Sequence, residues 1–211
     1  MIWALENNNE KILAEPNKKA RCPNCKEKVI SKCGNINIWH WAHKNSEDCD
    51  SWSEGETQWH IDWKNNFPEE NQEIIVGKHR ADIKTKNGLV IEFQNSSISS
   101  EEIKERENYY GEMIWLLNGD KFCNNFKLRK KGEVYTFRWR HPRKCWWNSN
   151  KEIYIDMNNY FFESFDQEIR EPYIEHPFID KILLIKKLYS NIPCGGWGKI
   201  ISKEEFLKTF K

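Results

Sequence analysis

Two cysteines separated by a Pro-Asn pair, Cys22 and Cys25, begin the part of the chain that could bind a metal. This spacing on a tight turn points two thiolates at one ion, and tetrahedral zinc then needs two further ligands. The downstream candidates for those ligands are His40, His43 and Cys49. We therefore predict a structural zinc site made of Cys22, Cys25 and two of those three residues. The alternative is that the cysteines are ordinary reduced thiols.

Two acidic residues, Asp82 and Glu92, form a second set that could do chemistry. They lie in the strand-like segments 80–85 and 89–94, which are joined through residues 86–88 as in a β-hairpin. A two-residue loop would mix apolar and polar side chains on each face of the hairpin. A three-residue loop separates them, so we predict that register.

In this register Asp82 stands opposite Glu92, with Cβ atoms about 5 Å apart, and the two negative charges repel each other. A divalent ion relieves the repulsion, because carboxylate oxygens are the ligands that Mg²⁺ and Mn²⁺ prefer. The alternative is that Arg80 or Lys84 neutralises the acidic pair. The hairpin alone leaves both explanations open.

The segment before these strands, residues 53–67, has the spacing of an amphipathic helix, with large apolar residues at every fourth position. On an adjoining face three polar residues repeat at the same interval: Glu56, His60 and Lys64. A solvated stripe is the usual explanation of such a pattern when it stands alone.

A second helix is predicted after the hairpin, because Ser99 and Glu102 have the spacing of a capping box. Arg106 and Tyr110 lie one turn apart along this helix, and a buried-looking strand follows at 113–117. With a short strand before the hairpin, the predicted order is helix, three strands, helix and strand.

This order and its motifs resemble the CoiA-like competence nucleases of the PD-(D/E)XK superfamily. The matching motifs are Cys22-Pro-Asn-Cys25, His40-Trp-Ala-His43, Glu56-Thr-Gln-Trp-His60-Ile-Asp-Trp-Lys64, Arg80-Ala-Asp82, Glu92-Phe-Gln94-Asn-Ser96 and Arg106-Glu-Asn-Tyr-Tyr110. Trp41 and Thr57 stand where the family usually has Phe and Ser. Gln94 stands where the wider superfamily has Lys, although the CoiA-like branch shares the Gln. The resemblance covers essentially the whole chain.

The resemblance implies a metal-dependent deoxyribonuclease in which Asp82 and Glu92 hold Mg²⁺ or Mn²⁺. Glu56 would complete the metal shell or orient a water molecule, and Gln94 would position that water. The implied substrate-binding residues are His60, Lys64, Arg80, Arg106 and Tyr110. For Tyr110, packing of the helix on the sheet is an equal alternative. The implied partner is DNA, single-stranded or duplex, in processing, recombination, repair or defence.

The resemblance predicts an α/β fold with a PD-(D/E)XK core. We expect a zinc-binding segment at 1–52, the nuclease core at 53–128 and a C-terminal α+β extension at 129–211. The extension mixes basic and aromatic residues between positions 129 and 147, which suits single-stranded nucleic acid; core packing is the alternative for its Trp residues. A second reading of the whole chain is a zinc-stapled nucleic-acid-binding module whose nuclease core is inactive, because Gln94 supplies no charge.

The amino-acid composition limits the classes of protein to which this chain can belong. The chain has 211 residues, of which 38% are hydrophobic and 31% charged, so disorder is excluded and one good core or two small ones can form. Its 33 basic residues balance 32 acidic ones, so net charge neither requires nor excludes nucleic acid. Seven cysteines, an odd number, fit a reducing compartment. With no readable signal peptide and no long apolar run, we expect a cytoplasmic protein without a membrane span.

Overall fold

The computed structural model describes residues 1–7, 9–35, 38–44, 49–53, 55–140, 144–158, 163–164, 173–174, 178–190 and 194–211. These form a mixed α/β protein in two compact units, Met1–Val90 and Ile91–Lys211. The α/β class predicted from the sequence is confirmed. None of the three described helices has the length and hydropathy of a membrane span.

The first unit begins with an antiparallel sheet of five short strands in the order β2-β1-β3-β4-β5. The strands are β1 Trp3–Leu5, β2 Lys11–Leu13, β3 Lys19–Arg21, β4 Lys28–Lys32 and β5 His40–His43. Trp41 anchors the sheet: its ring is 1% exposed, and its indole N–H donates to the Ile12 carbonyl oxygen at 3.0 Å. Most of the core that packs with Trp41 is small: Met1, Ala4, Ala14, Ala20, Cys22 and Val29.

Helix α1 and two longer strands complete the first unit: α1 Gln58–Lys64, β6 Gln72–Val76 and β7 His79–Lys84. A 3₁₀ turn at Glu69–Asn71 precedes β6. Helix α1 is shorter than the predicted 53–67, because Thr57 is its N-cap: the Thr57 hydroxyl accepts from the His60 N–H, and the His60 ring accepts from the Thr57 N–H. Glu56 therefore precedes the helix.

The loop after β7 has the predicted three-residue form. The Thr85 N–H donates to the Leu89 carbonyl at 2.9 Å, and the Gly88 N–H donates to the Thr85 carbonyl at 2.9 Å. Gly88 has φ +87°, the left-handed conformation that glycine adopts without strain. Along β7, Ala81 and Ile83 are fully buried and alternate with half-exposed polar residues, as the predicted register requires.

The second unit contains α2 Ser100–Tyr110, α3 Lys203–Phe210 and the larger strands. These are β8 Val90–Gln94, β9 Met113–Asn118, β10 Phe126–Lys131, β11 Val134–Trp139, β12 Glu152–Asp156, β15 Lys181–Tyr189 and β16 Gly195–Ser202. They follow the order β10-β11-β16-β15-β12-β9-β8. Strand β12 runs parallel to β9, and the pairs from β12 through β15, β16 and β11 to β10 are antiparallel. Two short strands, β13 Glu163–Ser164 and β14 Tyr173–Ile174, pair with each other.

The predicted order of helix, three strands, helix and strand matches α1, β6, β7, β8, α2 and β9 along the chain. The bounds of α2 follow from its caps, since Ser99 Oγ accepts from the Glu102 N–H at 3.0 Å and Gly111 ends the helix with φ +67°. Strand β10 spans the predicted domain boundary at residue 128. The domain boundaries and the PD-(D/E)XK topology stay predictions.

Candidate functional site

Four possible metal ligands converge in the first unit. The ligand atoms of Cys22, Cys25, His43 and Cys49 all lie within 4.8 Å of one another. Cys22 Sγ is 3.6 Å from Cys49 Sγ, and Cys25 Sγ is 3.3 Å from His43 Nε2. Tetrahedral zinc with Zn–S bonds of about 2.3 Å places two sulfurs about 3.8 Å apart, so the Cys22–Cys49 separation is close to that of a zinc site. The cluster could bind zinc with the ligand set Cys₃His.

His40 lies outside this cluster, although the sequence left it open as a ligand. Both histidines are on β5, where residues three apart point to opposite faces, so only one can face the cysteines. His40 Nδ1 instead lies 2.7 Å from the Ile38 carbonyl oxygen. Had the tetrapeptide been recognised as a strand, this odd separation would have excluded one histidine from the sequence alone.

The thiols of the cluster already influence each other. Burial, followed by the neighbouring Cys22 and Cys25, raises the pKa of Cys49 to about 12. The pKa of Cys25 is lowered: burial opposes the shift, but hydrogen bonds from the Glu27 backbone and His43 outweigh it. A divalent cation between the sulfurs would remove the repulsion between thiolates and favour their deprotonated form.

A second cluster in the first unit surrounds the ammonium group of Lys64, which is 1% exposed. Lys64 Nζ lies 3.0 and 3.1 Å from the two oxygens of Glu56, 3.0 Å from Glu73 Oε1 and 3.1 Å from Asp82 Oδ1. Burial opposes the charge on Lys64, but the attraction of Glu56, Glu73 and Asp82 is stronger and raises its pKa above the usual value. The α-amino group of Met1 is 3.8 Å from Glu56 Oε1.

Glu73 is a member of this cluster that the sequence reasoning missed. Its carboxylate accepts the N–H groups of Ile2 and Trp3 at 2.9 to 3.0 Å, in addition to its ion pair with Lys64. Burial alone would raise its pKa, but Lys64 and Arg80 hold the pKa well below the usual value. Glu73 also has φ +50°, a strained conformation for a residue other than glycine. Its position at the start of a strand gave no sign of this role.

Arg80 is held beside the cluster by Asp50. The Asp50 carboxylate accepts the Arg80 N–H at 2.8 Å and lies 2.7 Å from His79 Nδ1, while the Trp52 ring stacks on His79 at 3.3 Å. Asp50 directly follows the metal-site residue Cys49 in the chain. The residue that follows the Cys₃His cluster in the chain therefore contacts strand β7 through a buried carboxylate.

Of the predicted site residues in the first unit, Glu56, Lys64 and Asp82 are brought together, with Arg80 near them. Asp82 is the accessible carboxylate of the three, with 22% of its side chain exposed against 5% for Glu56 and 0% for Glu73. His60 is buried, and its Nδ1 faces the Thr57 hydroxyl at 2.8 Å, so its ring takes part in the cap of α1.

In the second unit, Arg106 of α2 links two carboxylates. Its Nη1 donates to Glu92 Oε2 at 2.8 Å, and its Nε donates to Glu102 Oε1 at 3.1 Å. Arg106 and Glu92 are both 4% exposed, and Gln94 is 2% exposed. Tyr110 is half-buried at the end of the same helix.

Two family models match the chain. The model for the competence protein CoiA, N-terminal domain, matches residues 5–51, and the model for the competence protein CoiA, nuclease-like domain, matches residues 64–162. The chain belongs to the CoiA-like competence protein family. Searches of curated proteins and of solved structures gave no match.

The two matches divide the sites of this CoiA-like chain between them. All four residues of the Cys₃His cluster fall within the N-terminal match. The nuclease-like match begins at Lys64 and includes Glu73, Asp82, Glu92 and Arg106. The CoiA-like chain thus carries a nuclease-like domain next to a domain with a possible metal site.

The structure corrects one expectation for the C-terminal part of the CoiA-like chain. Trp139 and Trp146 are only 2% and 1% exposed, and they pack against Phe122, Phe126 and Trp115. These rings belong to the core and leave no face for a nucleic-acid base. Between them Arg140 is exposed, and residues 141–143 lie outside the described part of the chain.

Proposed function

We propose that this chain is a metal-dependent nuclease that hydrolyses phosphodiester bonds in DNA. The observation that carries the proposal is the convergence of Glu56, Glu73 and Asp82 on one buried cation, with 22% of the Asp82 side chain exposed. Burying three carboxylates together is costly, and such clusters are typical of functional sites. The nuclease-like family match supports the same class of activity.

Asp82 and Glu92 are the residues that would hold Mg²⁺ or Mn²⁺. The Glu56, Glu73 and Asp82 carboxylates face the side-chain cations of Lys64 and Arg80 and the α-amino group of Met1. Hard carboxylate oxygens are the ligands that Mg²⁺ and Mn²⁺ prefer. The three-residue loop supports the pairing, because a regular hairpin built on that loop would set Asp82 opposite Glu92. When bound, the ion lowers the pKa of a water molecule and stabilises the extra charge on the attacked phosphate.

Lys64 supplies the positive charge that Gln94 cannot. Its ammonium already contacts Asp82 and Glu56, so the charge stands beside the proposed reaction centre although it comes from α1. Glu56, which accepts from Lys64, would orient a water molecule. Arg106 acts as a positioning residue, because its guanidinium donates to Glu92 Oε2 at 2.8 Å and so fixes the orientation of that carboxylate.

A second candidate function is nucleic-acid binding without cleavage. One observation favours it: Asp82 and Glu92 each form an ion pair with a basic residue, Lys64 and Arg106. In an inactive core these ion pairs would neutralise both carboxylates permanently, and no divalent ion would bind.

A cleavage assay separates the two candidates. Wild type, Asp82→Asn and Glu92→Gln are incubated with single-stranded and duplex DNA in Mg²⁺ or Mn²⁺, and Asp62→Asn, which changes an exposed carboxylate on α1, is the matched control. The proposal expects cleavage by wild type and the control, and a loss of about 100-fold or more in the two site variants. Equal cleavage by all four proteins would reject the assignment, and no cleavage by folded wild type would favour the binding module.

A further inference from the structure

Four adjacent strands of the second unit carry a one-sided charge. Strands β10, β11, β16 and β15 contain nine Lys or Arg residues and no Asp or Glu. In the whole chain, 33 basic residues are balanced by 32 acidic ones. The balanced total therefore conceals a strongly basic part of the sheet.

The register of β10 and β11 gathers these cations on one face. Lys127 pairs with Arg138, and Arg129 pairs with Thr136, so their side chains point the same way. All three basic side chains are exposed. The opposite face of the same strands carries four core residues that are at most 7% exposed: Phe126, Leu128, Phe137 and Trp139. The basic face is thus the outer face of the sheet.

Strands β16 and β15 extend this face with aromatic side chains. Thr136 pairs with Trp197, which pairs in turn with Lys187; Arg138 pairs with Gly195, which pairs with Tyr189. Tyr189 is 44% exposed, Trp197 is half-buried, and Lys187 Nζ lies 5.5 Å from the centre of the Tyr189 ring.

Gly195 adds no side chain between Arg138 and Tyr189, so the face is open at that point. A Cβ there would lie 2.2 Å from the Phe137 carbonyl oxygen, and a larger residue is therefore excluded by the backbone of β11. The face combines exposed cations, two aromatic rings and a gap between them, in two adjacent rows across four strands.

We propose that this face binds single-stranded DNA. Its defining side chains, which we call the basic-aromatic face, are Lys127, Arg129, Arg138, Lys187, Tyr189 and Trp197. Cations on a flat sheet can follow the phosphates, and aromatic rings between them can stack on bases, each stack contributing roughly 1 to 3 kcal/mol. The bases of a duplex are already stacked on each other, so the rings favour a single strand. The choice of DNA rests on the proposed function, whereas the binding itself requires no cleavage.

Binding of a fluorescent oligo-dT, followed by anisotropy without added Mg²⁺ or Mn²⁺, tests this surface. In Arg129→Ala/Arg138→Ala we expect the Kd to rise at least about tenfold and the slope of log K against log salt to fall by about 1.4, which corresponds to two lost phosphate contacts. Tyr189→Ala should raise the Kd by roughly 5- to 100-fold with the slope unchanged. The matched control is Lys104→Ala/Lys208→Ala, which removes two exposed cations from helices.

Variants of the basic-aromatic face that bind oligo-dT as tightly as wild type would overturn the proposal. An equal loss of affinity in the helix control would also overturn it, and so would tighter binding of a hairpin duplex than of oligo-dT. Circular dichroism checks that each variant is folded. Failure here is distinct from failure of the nuclease proposal: a protein that binds oligo-dT through this face but never cleaves DNA refutes only the latter. If the protein cleaves DNA but these substitutions leave its affinity for oligo-dT unchanged, only the proposed binding surface is refuted.

Discussion

The Nζ atom of Lys64 lies 3.1 Å from Oδ1 of Asp82. From the sequence, Lys64 was a candidate for contact with phosphate, and Arg80 or Lys84 was the candidate for neutralising Asp82. In the structure the negative charge of Asp82 is instead neutralised by Lys64, which lies in the last turn of α1. The buried ammonium of Lys64 is thus the shared cation of Glu56, Glu73 and Asp82.

We expect Lys64→Met to lower the free energy of unfolding by about 3 to 5 kcal/mol, because it leaves buried carboxylates without their cation. Urea denaturation measures this value. Lys86→Met, which changes an exposed lysine in the β7 loop, should shift stability by less than about 0.5 kcal/mol. Adding Glu73→Gln to Lys64→Met should recover part of the loss, since one uncompensated charge is removed. Similar stabilities for Lys64→Met and Lys86→Met would contradict the structure.

Glu73 should make the protein sensitive to acid. Its pKa is lowered in the folded state, so its stabilising effect is complete above the unfolded pKa and is lost as the pH falls through the folded pKa. Below about pH 4 the unfolded chain binds a proton at Glu73 that the folded protein does not. The free energy of unfolding therefore falls by about 1.4 kcal/mol more for each pH unit of acidification. The Glu73→Gln variant should have the shallower slope in denaturation curves between pH 5 and 3. Parallel slopes for the two proteins would show that Glu73 is not held ionised.

The two histidines of β5 should differ in metal binding. Protein purified without chelator should contain about one zinc per chain, as a Cys₃His site requires. We expect His43→Ala to lose most of this zinc and His40→Ala to keep it, because only His43 faces the cysteines. Elemental analysis of both variants measures the difference. Zinc loss in His40→Ala with retention in His43→Ala would reverse the ligand assignment.

Asp50 should connect the zinc cluster to β7. Removing its charge in Asp50→Asn weakens the acceptor of the Arg80 N–H, and we expect a loss of about 1 to 3 kcal/mol in the free energy of unfolding. Hydrogen exchange of the Arg80 amide should accelerate in this variant and also after zinc is removed from wild type. Asp62→Asn is the exposed control. If neither change alters the exchange rate of the Arg80 amide, Asp50 does not couple the metal site to β7.

Several features were legible in the sequence because neighbours along the chain determine them. The alternation in β7, with Gly88 in the loop, selected the three-residue turn, and the spacing of Ser99 and Glu102 marked the start of α2. The Cys-x₂-Cys pair and Cys49 identified most of the metal cluster. In each case the signal is a local period, a cap or a short spacing, and the polypeptide geometry allows few alternatives.

The tertiary structure decided which distant groups meet. Glu73 looked like the start of an ordinary strand, and its role emerged only when Lys64 and the N–H groups of Ile2 and Trp3 converged on it. Trp139 looked available for stacking until the packing of Phe122 and Phe126 buried it. The sequence by itself determined the order of α1, β6, β7, β8, α2 and β9, because the periods and caps that mark them are local. Burial and charge pairing depend on segments far apart in the chain, and no spacing encodes them.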